Sequence, residues 1–326
     1  MIRFGSVVAV AIGLVVSLAA AGQSVSARAD EIVIGVPSWS SANATAHVLE
    51  TILEDRFGVD VVLKETSNAE IFAGMDDGTI QIHPEVWLPN YKALHDEYVL
   101  RRKSVVMSPR GVPASQGICV TQATYDGDGI HTIQDLADPE KAKVFDTNGD
   151  GRGEIWIGAP GWNSTKVEQI RAHDYGYDKT MQLLQAEETV GLAAVDAAVA
   201  TGKPMAFYCY EPHHVFELHD LVYLDEPAHD PRKWQIVDAE ADGDWLEKSK
   251  AGVAWPPSFL HIFYAKALEE SQPEIASFLK SVNLDVDTVS QMTYALVVER
   301  RDPAEFAREW VDGHGERISG WIEDAD

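Results

Sequence analysis

Two cysteines in 326 residues are too few for a disulfide framework or a Cys-rich zinc site. Basic side chains are scarce as well: 26 Lys and Arg stand against 52 Asp and Glu, a formal net charge of −26. Nucleic-acid backbones and anionic membrane surfaces repel such a chain, and no basic run interrupts its acidic background. No apolar run reaches the roughly 20 residues that a membrane-spanning helix needs. HExxH, GxSxG and Cys–His pairings are absent, and the Gly-rich stretch Gly149–Gly153 is no phosphate cradle. Internal repeats and low-complexity linkers are missing too. One cluster, His213-His214 with Glu211, His219 and Asp220, can be read as the ligand set of a hydrolase or of a metal-uptake protein. Adjacent histidines on a strand point to opposite faces, which argues against a shared metal and against catalysis. What remains is an acidic globular chain with 45 % apolar residues, long enough for two domains, whose partner is small or cationic.

The first thirty residues have the order of a secretory leader. An early Arg3 precedes an apolar run from Val7 to Ala21, and Ala27-Arg28-Ala29 is a small-x-small cleavage pattern. Cleavage is expected after Ala29, making residues 1–29 a signal peptide. It would remove Arg3 and Arg28 and no acid, leaving a mature charge of −28. No cysteine lies near the cleavage point to carry a lipid, so a freely diffusing periplasmic protein is expected, with no membrane insertion.

Past residue 30, strands and helices alternate. Glu31–Val36, Val59–Leu63 and Ile80–Ile82 read as strands, and helical patterns cover Thr45–Phe57 and Ala69–Met75. After Gln116 the alternation resumes. Strands are expected at Gly117–Val120, Glu154–Ile157, Met205–Cys209 and Ser258–Ala265. Helices are expected at Thr165–Asp174, Tyr177–Ala186, Gly191–Ala200, Pro273–Val282 and Pro303–Asp312. A βαβα order implies a mostly parallel sheet covered by helices, with ligands collecting at the carboxyl ends of its strands. The expected architecture is two α/β lobes joined by crossing strands: 30–113 in the first lobe, 114–213 in the second, and 214–326 returning to the first. Cys119 and Cys209 fall in strand-like runs and can be either a disulfide or two buried thiols.

The chemistry gathers at strand ends. Pro37-Ser38-Trp39, His83-Pro84-Glu85-Val86-Trp87-Leu88-Pro89, Pro160-Gly161-Trp162-Asn163-Ser164, Tyr208-Cys209-Tyr210-Glu211-Pro212 and Trp255-Pro256-Pro257 each set aromatics beside Pro, Gly or Ser. Any one tryptophan is ordinarily a core anchor. Several at consecutive strand ends converge on one cleft, where aromatic faces hold a trimethylammonium group at about 1–2 kcal/mol per desolvated contact. Thr165-Lys166-Val167-Glu168 is a capping-box pattern, so a helix is expected to begin here with the backbone N–H groups of Trp162, Asn163 and Ser164 free at its positive end, an anion site beside a tryptophan. Asp146, Asn148, Asp150, Arg152 and Glu154 follow the first part of a calcium loop, although Ile157 replaces the bidentate glutamate at its twelfth position. A structural Ca²⁺ is therefore a candidate cofactor, with no role in chemistry.

The run Ala142–Gly151, then Gly158-Ala159-Pro160-Gly161-Trp162, with Trp87-Leu88-Pro89 and Tyr210-Glu211-Pro212-His213, resembles the periplasmic glycine betaine-binding proteins of ABC importers. The resemblance covers essentially the whole mature chain. It implies a two-lobed periplasmic binding protein fold of the type II kind, a solute-binding protein rather than an enzyme, and a membrane permease as partner to a monomer. Carried over by position, Trp87, Trp162 and Tyr210 fall on cage positions. Trp39 resembles the first-loop tryptophan of choline-type members, and the amides of Asn163 and Ser164 fall on the anion site. Two departures concern the ligand. Tyr91 stands where some betaine binders have histidine, and Ser41 where choline binders have an aspartate for the ligand hydroxyl. Glu85, two residues before Trp87, can pair with a cation or accept a hydrogen bond from a protonated N-oxide. Trimethylamine N-oxide is thus expected ahead of glycine betaine, with choline or carnitine as alternatives.

Overall fold

The computed structural model describes residue 1, residues 31–237, residue 239 and residues 242–324; the expected leader lies outside them. Nine strands form the frame: β1 Ile32–Val36, β2 Val61–Glu65, β3 Ile82–Leu88, β4 Val105–Thr121, β5 Gly153–Trp156, β6 Met181–Leu184, β7 Ala206–Glu211, β8 Leu221–Tyr223 and β9 Ser258–Ala265. Their order is β2-β1-β3-β9-β4-β7-β5-β6, with β8 beside β4. β1 runs parallel to β2 and β3, and β5 parallel to β6 and β7, as the βαβ alternation requires.

The 17-residue β4 joins two sheets. Its residues from Val105 to Ala114 pair antiparallel with β9, and Ser115–Val120 pair antiparallel with β7. One continuous strand therefore belongs to both lobes, and a second connection is made where the chain enters β9 at Ser258. β8 pairs with β4 through Thr121, Val120 and Cys119, so the chain is still with the second sheet after residue 214. Cys119 and Cys209, on neighbouring β4 and β7, are joined as a disulfide with Cα atoms 5.7 Å apart.

Each lobe buries its own apolar side chains. In the first, Ile32, Ile34, Leu49 and Ile52 pack with Phe278 and Leu279. In the second, Ile118, Phe145, Phe207 and Tyr177 form a core that runs on without interruption to Trp39, Trp87 and Trp162. Among the described residues, no helix is long and apolar enough to cross a membrane.

Three expected elements are corrected. The helix expected over Tyr177–Ala186 is a 3₁₀ turn, Tyr177–Lys179, followed by β6. The apolar run Met181-Gln182-Leu183-Leu184 is too short for periodicity to separate helix from strand, and parallel pairing with β5 decides it. The segment Pro84–Leu88 is strand rather than loop, with the ladder to β9 slipping between His83 and Val86. That irregularity accommodates Pro84, which has no N–H to give a ladder. The helix expected from Thr45 begins at Ser40, directly after Trp39.

Candidate functional site

The two lobes face one another across a cleft of about 1540 Å³, lined by Trp39, Tyr91, Trp162, Asn163 and Trp255 among others. At its inner end Trp39, Trp87, Trp162 and Tyr210 come together, each with only 5–6 % of its surface exposed. Trp87 and Tyr210 meet edge-on, ring centres 5.3 Å apart and planes at 87°; Trp162 and Tyr210 meet at 5.9 Å and 78°. Perpendicular rings form the corner of a box rather than a stack. Tyr91 lies parallel to Trp39 at 6.4 Å.

Local structure sets these side chains. Trp39 and Trp162 are both N-caps, of the helices Ser40–Ile52 and Asn163–Tyr175, and neither supplies a side-chain cap. Two helix N-termini, one from each lobe, thus open beside cage tryptophans, where their positive ends favour an oxyanion. Gly158 and Gly161, at φ +117° and +87°, give the turn that brings Trp162 round from β5. Glu85 and Trp87 alternate along β3 and so share a face.

Glu85 is the hub of the first-lobe half. Its Oε1 accepts the indole N–H of Trp39 at 2.7 Å, the Ser41 hydroxyl at 2.7 Å and the indole N–H of Trp87 at 2.9 Å. Burial nevertheless pushes its pKa up to about 7: these bonds favour the charged form but do not offset desolvation, to which the nearby negative Glu188 adds. Ser41, where choline-type members carry an aspartate, is therefore part of the carboxylate's own support.

Across the cleft, Glu188 accepts the Tyr210 hydroxyl proton on Oε1, and its Oε2 accepts the Ser40 backbone N–H at 3.0 Å. His213 Nε2 lies 3.4 Å from Oε1, and this imidazole, with the Tyr210 hydroxyl and the Ser40 amide, holds the Glu188 carboxyl below its ordinary pKa despite burial. The Asn163 side-chain amide donates to the Asn90 carbonyl, a further contact between lobes. Where the strands cross, Gln116 exchanges amide hydrogen bonds with Asn90 at 2.9 and 3.0 Å, donates to Ser258 Oγ at 2.7 Å, and accepts the Tyr208 hydroxyl at 2.7 Å. Ser164 is buried beside that Tyr208 hydroxyl.

Trp255 stands apart from the cage corner. Its indole N–H donates to Glu168 Oε1 at 2.6 Å, and its ring packs on Trp234 at 5.2 Å. Glu168 is in turn paired with the buried Arg171 at 2.9 Å, which also binds Glu226. Trp255 lines the cleft from a rigid ionic anchor in the second lobe.

The loop expected to hold calcium is drawn in on its own backbone. Asp146 accepts the N–H groups of Gly149 and Gly151 at 2.6 and 2.8 Å, Asn148 accepts Asp150 N–H at 2.8 Å, and Glu154 Oε2 accepts Thr147 N–H at 2.7 Å. Arg152 is turned outward, its side chain donating to the Asp178 carbonyl at 2.9 Å. Among the described residues, no three His, Cys, Asp or Glu side chains are gathered to hold a metal ion. The His213 and His214 rings are tilted by 32° with centres 4.2 Å apart, but His213 is directed at Glu188.

Glu188, Gln116 and Asn90 escape a reading of the sequence, and His213, read there as a candidate metal ligand, lies instead against Glu188. Glu188 looks like any acid in a first helical turn, and nothing local marks Gln116 as the residue at a crossing.

Two sheets sharing one strand around an aromatic cleft define a two-lobed solute-binding protein of the periplasmic class. The comparisons agree. The substrate-binding domain of the ABC-type glycine betaine transport system matches residues 30–313, and the chain belongs to that family. It is 25 % identical over 252 residues to the glycine betaine/proline betaine-binding periplasmic protein of Salmonella typhimurium, covering 72 % of this chain and 73 % of that one. It is 26 % identical over 219 residues to the protein of the same description from Escherichia coli, covering 65 % and 64 %. In fold it is similar to an ABC-transporter choline-binding protein in complex with choline, with a TM-score of 0.70 at 18 % identity over 90 % of this chain and 91 % of that one. It is likewise similar to lactococcal OpuAC in its closed form with glycine betaine, with a TM-score of 0.67 at 20 % identity over 90 % and 99 %. Members of this family bind solutes for transport and are not enzymes.

Proposed function

We propose that this chain captures a small trimethylammonium-type solute in the periplasm and delivers it to a membrane permease. Trimethylamine N-oxide stands ahead of glycine betaine as its cargo, with choline and carnitine as the alternatives. The observation that carries the reading is the box itself. Trp39 and Trp87 are tied to Glu85 on one lobe, with Tyr210 and Trp162 perpendicular to one another on the other. Aromatic faces hold methylated nitrogen without needing a donor from it. Glu85 supports the N-oxide ranking: with its pKa raised to about 7, it keeps a proton that it can share with an N-oxide oxygen. Oε2, which none of Trp39, Ser41 and Trp87 touches, is the atom available to do so.

Ligand contacts from both lobes favour closure by their difference between the open and closed forms. The crossings on which the lobes turn are assigned to 114–116 in β4 and 255–258 before β9, so the return to the first lobe falls near 256 rather than 214. The 146–154 loop is kept as a structural calcium site on one observation: Glu154 Oε1 is buried without a hydrogen-bond partner, while its Oε2 accepts Thr147 N–H within the loop. The leader, its cleavage after Ala29 and the monomeric state belong to the same proposal.

Intrinsic tryptophan fluorescence of the mature protein, titrated with trimethylamine N-oxide, glycine betaine, choline and carnitine, is the test. A saturable change with one or more of them supports the caged-cation reading. Tighter binding of betaine than of the N-oxide overturns the ranking, and no response to any of the four overturns the reading.

A further inference from the structure

We infer that Glu188 is a positioning residue that couples closure of the lobes to assembly of the aromatic cage. This rests on the solute-binding reading but adds a residue and a role to it. Glu188 opens the second-lobe helix Glu188–Thr201, where an acid is ordinarily explained by the positive end of its own helix. Here its side chain serves the other lobe. Ser40 is the first residue of the helix Ser40–Ile52, whose N-cap Trp39 gives no side-chain cap, and the Ser40 N–H donates to Glu188 Oε2 at 3.0 Å. A carboxylate from one lobe thus fills the capping position left open in the other.

The second oxygen is committed to the cage. Oε1 accepts the Tyr210 hydroxyl proton, which fixes the ring that makes the corner with Trp87 and Trp162. His213 completes the arrangement. Val215 N–H donates to its Nδ1 at 3.1 Å, so the ring proton sits on Nε2, 3.4 Å from Oε1. The carboxylate is buried, with 6 % exposure, and its Tyr210 and His213 partners belong to its own lobe. Of its partners Ser40 N–H alone comes from the opposite lobe, and separating the lobes breaks that bond. A residue that merely stabilised the second lobe would have no reason to reach Ser40.

Ser40→Pro separates the two roles, because it deletes the N–H while leaving Glu188 and every cage side chain in place. Proline is tolerated at the first position of a helix, and Trp39, at φ −111° and ψ 154°, already has the extended backbone that a following proline demands. Stopped-flow tryptophan fluorescence with trimethylamine N-oxide and glycine betaine would compare mature wild type, Ser40→Pro, Glu188→Gln and Glu188→Ala. Far-UV circular dichroism controls for folding. Both Ser40→Pro and Glu188→Ala are expected to raise the dissociation rate at least fivefold while the association rate stays within threefold. Glu188→Gln, with one acceptor oxygen for the Tyr210, Ser40 and His213 donors, falls between wild type and Glu188→Ala. A rise of less than fivefold in Ser40→Pro overturns the coupling. If wild type binds neither solute, the ligand reading fails instead, and amide exchange at Ser40 tests the coupling alone. Faster exchange in Glu188→Ala than in wild type upholds it, and equal exchange overturns it.

Discussion

Trp39 and Glu85 are joined by an indole N–H donating to Oε1 at 2.7 Å, and the bond links the start of the first helix to the third strand. Since the same oxygen holds Trp87, one carboxylate sets the angle between two cage walls. On the proposed reading, the group that orients the aromatics is also the one the ligand meets.

That double role predicts a pH dependence whose sign reports the ligand. Glu85 titrates near 7 in the folded chain against 4.5 for an ordinary glutamate. Between those values the folded protein keeps a proton that the unfolded chain has lost, so this group's contribution to stability falls as pH rises through that window. A quaternary ammonium such as choline or betaine favours the ionised carboxylate, so its affinity rises from pH 5.5 toward 7 and levels off above. An N-oxide shares the proton, so its affinity falls above pH 7. Calorimetric titrations from pH 5.5 to 8.5 would read the two slopes, and parallel slopes for betaine and the N-oxide would show that Glu85 does not face the ligand. Glu85→Gln is expected to weaken choline at least tenfold and the N-oxide less, because an amide N–H still donates to its oxygen.

The cage itself is tested by truncation. Trp87→Ala and Trp162→Ala each remove a wall and are expected to weaken binding at least tenfold, about 1.4 kcal/mol or more, in line with one lost cation–π contact. Trp310 is the control. It stacks on His314 at 4.1 Å and on Trp321 at 6.3 Å, packed against the first-lobe core, and does not line the cleft. Trp310→Ala is expected to lower the melting temperature without selectively changing affinity. Unchanged affinity in both cage variants would remove the pocket assignment.

How much of this could be read in the chain follows from what is local. The aromatics at strand ends were legible because Trp39, Trp87, Trp162 and Tyr210 sit beside Pro, Gly or Ser, and β-branched runs mark the strands that deliver them. β9 was found to the residue, since Ser258–Ala265 alternates between turn signals. The helix start at Ser40 was missed because Trp39 caps nothing with its side chain, so no Ser, Thr or Asp signal stands where the helix begins. β6 was missed because only its partner strand distinguishes it from a helix. Glu188 and Gln116 were invisible for the same reason on a larger scale: Ser40 lies 148 residues from the first, and Ser258 142 from the second. Such contacts have no sequence pattern.

Calcium binding would appear as a stability effect. If the loop takes the ion, adding Ca²⁺ to chelator-stripped protein is expected to raise the melting temperature by several degrees, through mass action on the folded state. Asp150→Ala should abolish that rise and leave solute affinity intact, since the loop lies away from the cleft lining. A melting temperature indifferent to Ca²⁺ and chelator would leave 146–154 as a turn closed by Asp146, Asn148 and Glu154 on its own backbone.

Tyr91 supplies the sharpest test of how the cleft handles negative charge. Glu85 N–H donates to His83 Nδ1 at 3.3 Å, and burial drives the His83 pKa down to about 3, so the ring is neutral with its proton on Nε2. That proton is shared with Asn68 Oδ1 at 2.8 Å, which turns the Asn68 amide N–H toward Tyr91 Oη at 2.9 Å. The phenol accepts there, and its own pKa is pushed up to about 12, so it remains a neutral donor whose O–H is directed elsewhere. Tyr91 lines the cleft beside Asn163, where a ligand oxyanion would lie. Tyr91→Phe is expected to weaken glycine betaine and trimethylamine N-oxide about tenfold. Tetramethylammonium, which fills the cage but carries no oxygen, should bind the variant and the wild type alike. Asn68→Ala, which leaves the phenol in place but unaligned, is expected to give a smaller loss with the same selectivity. Equal weakening of tetramethylammonium and betaine in Tyr91→Phe would mean that the ring supports Trp39 by stacking and that its hydroxyl does not reach the solute.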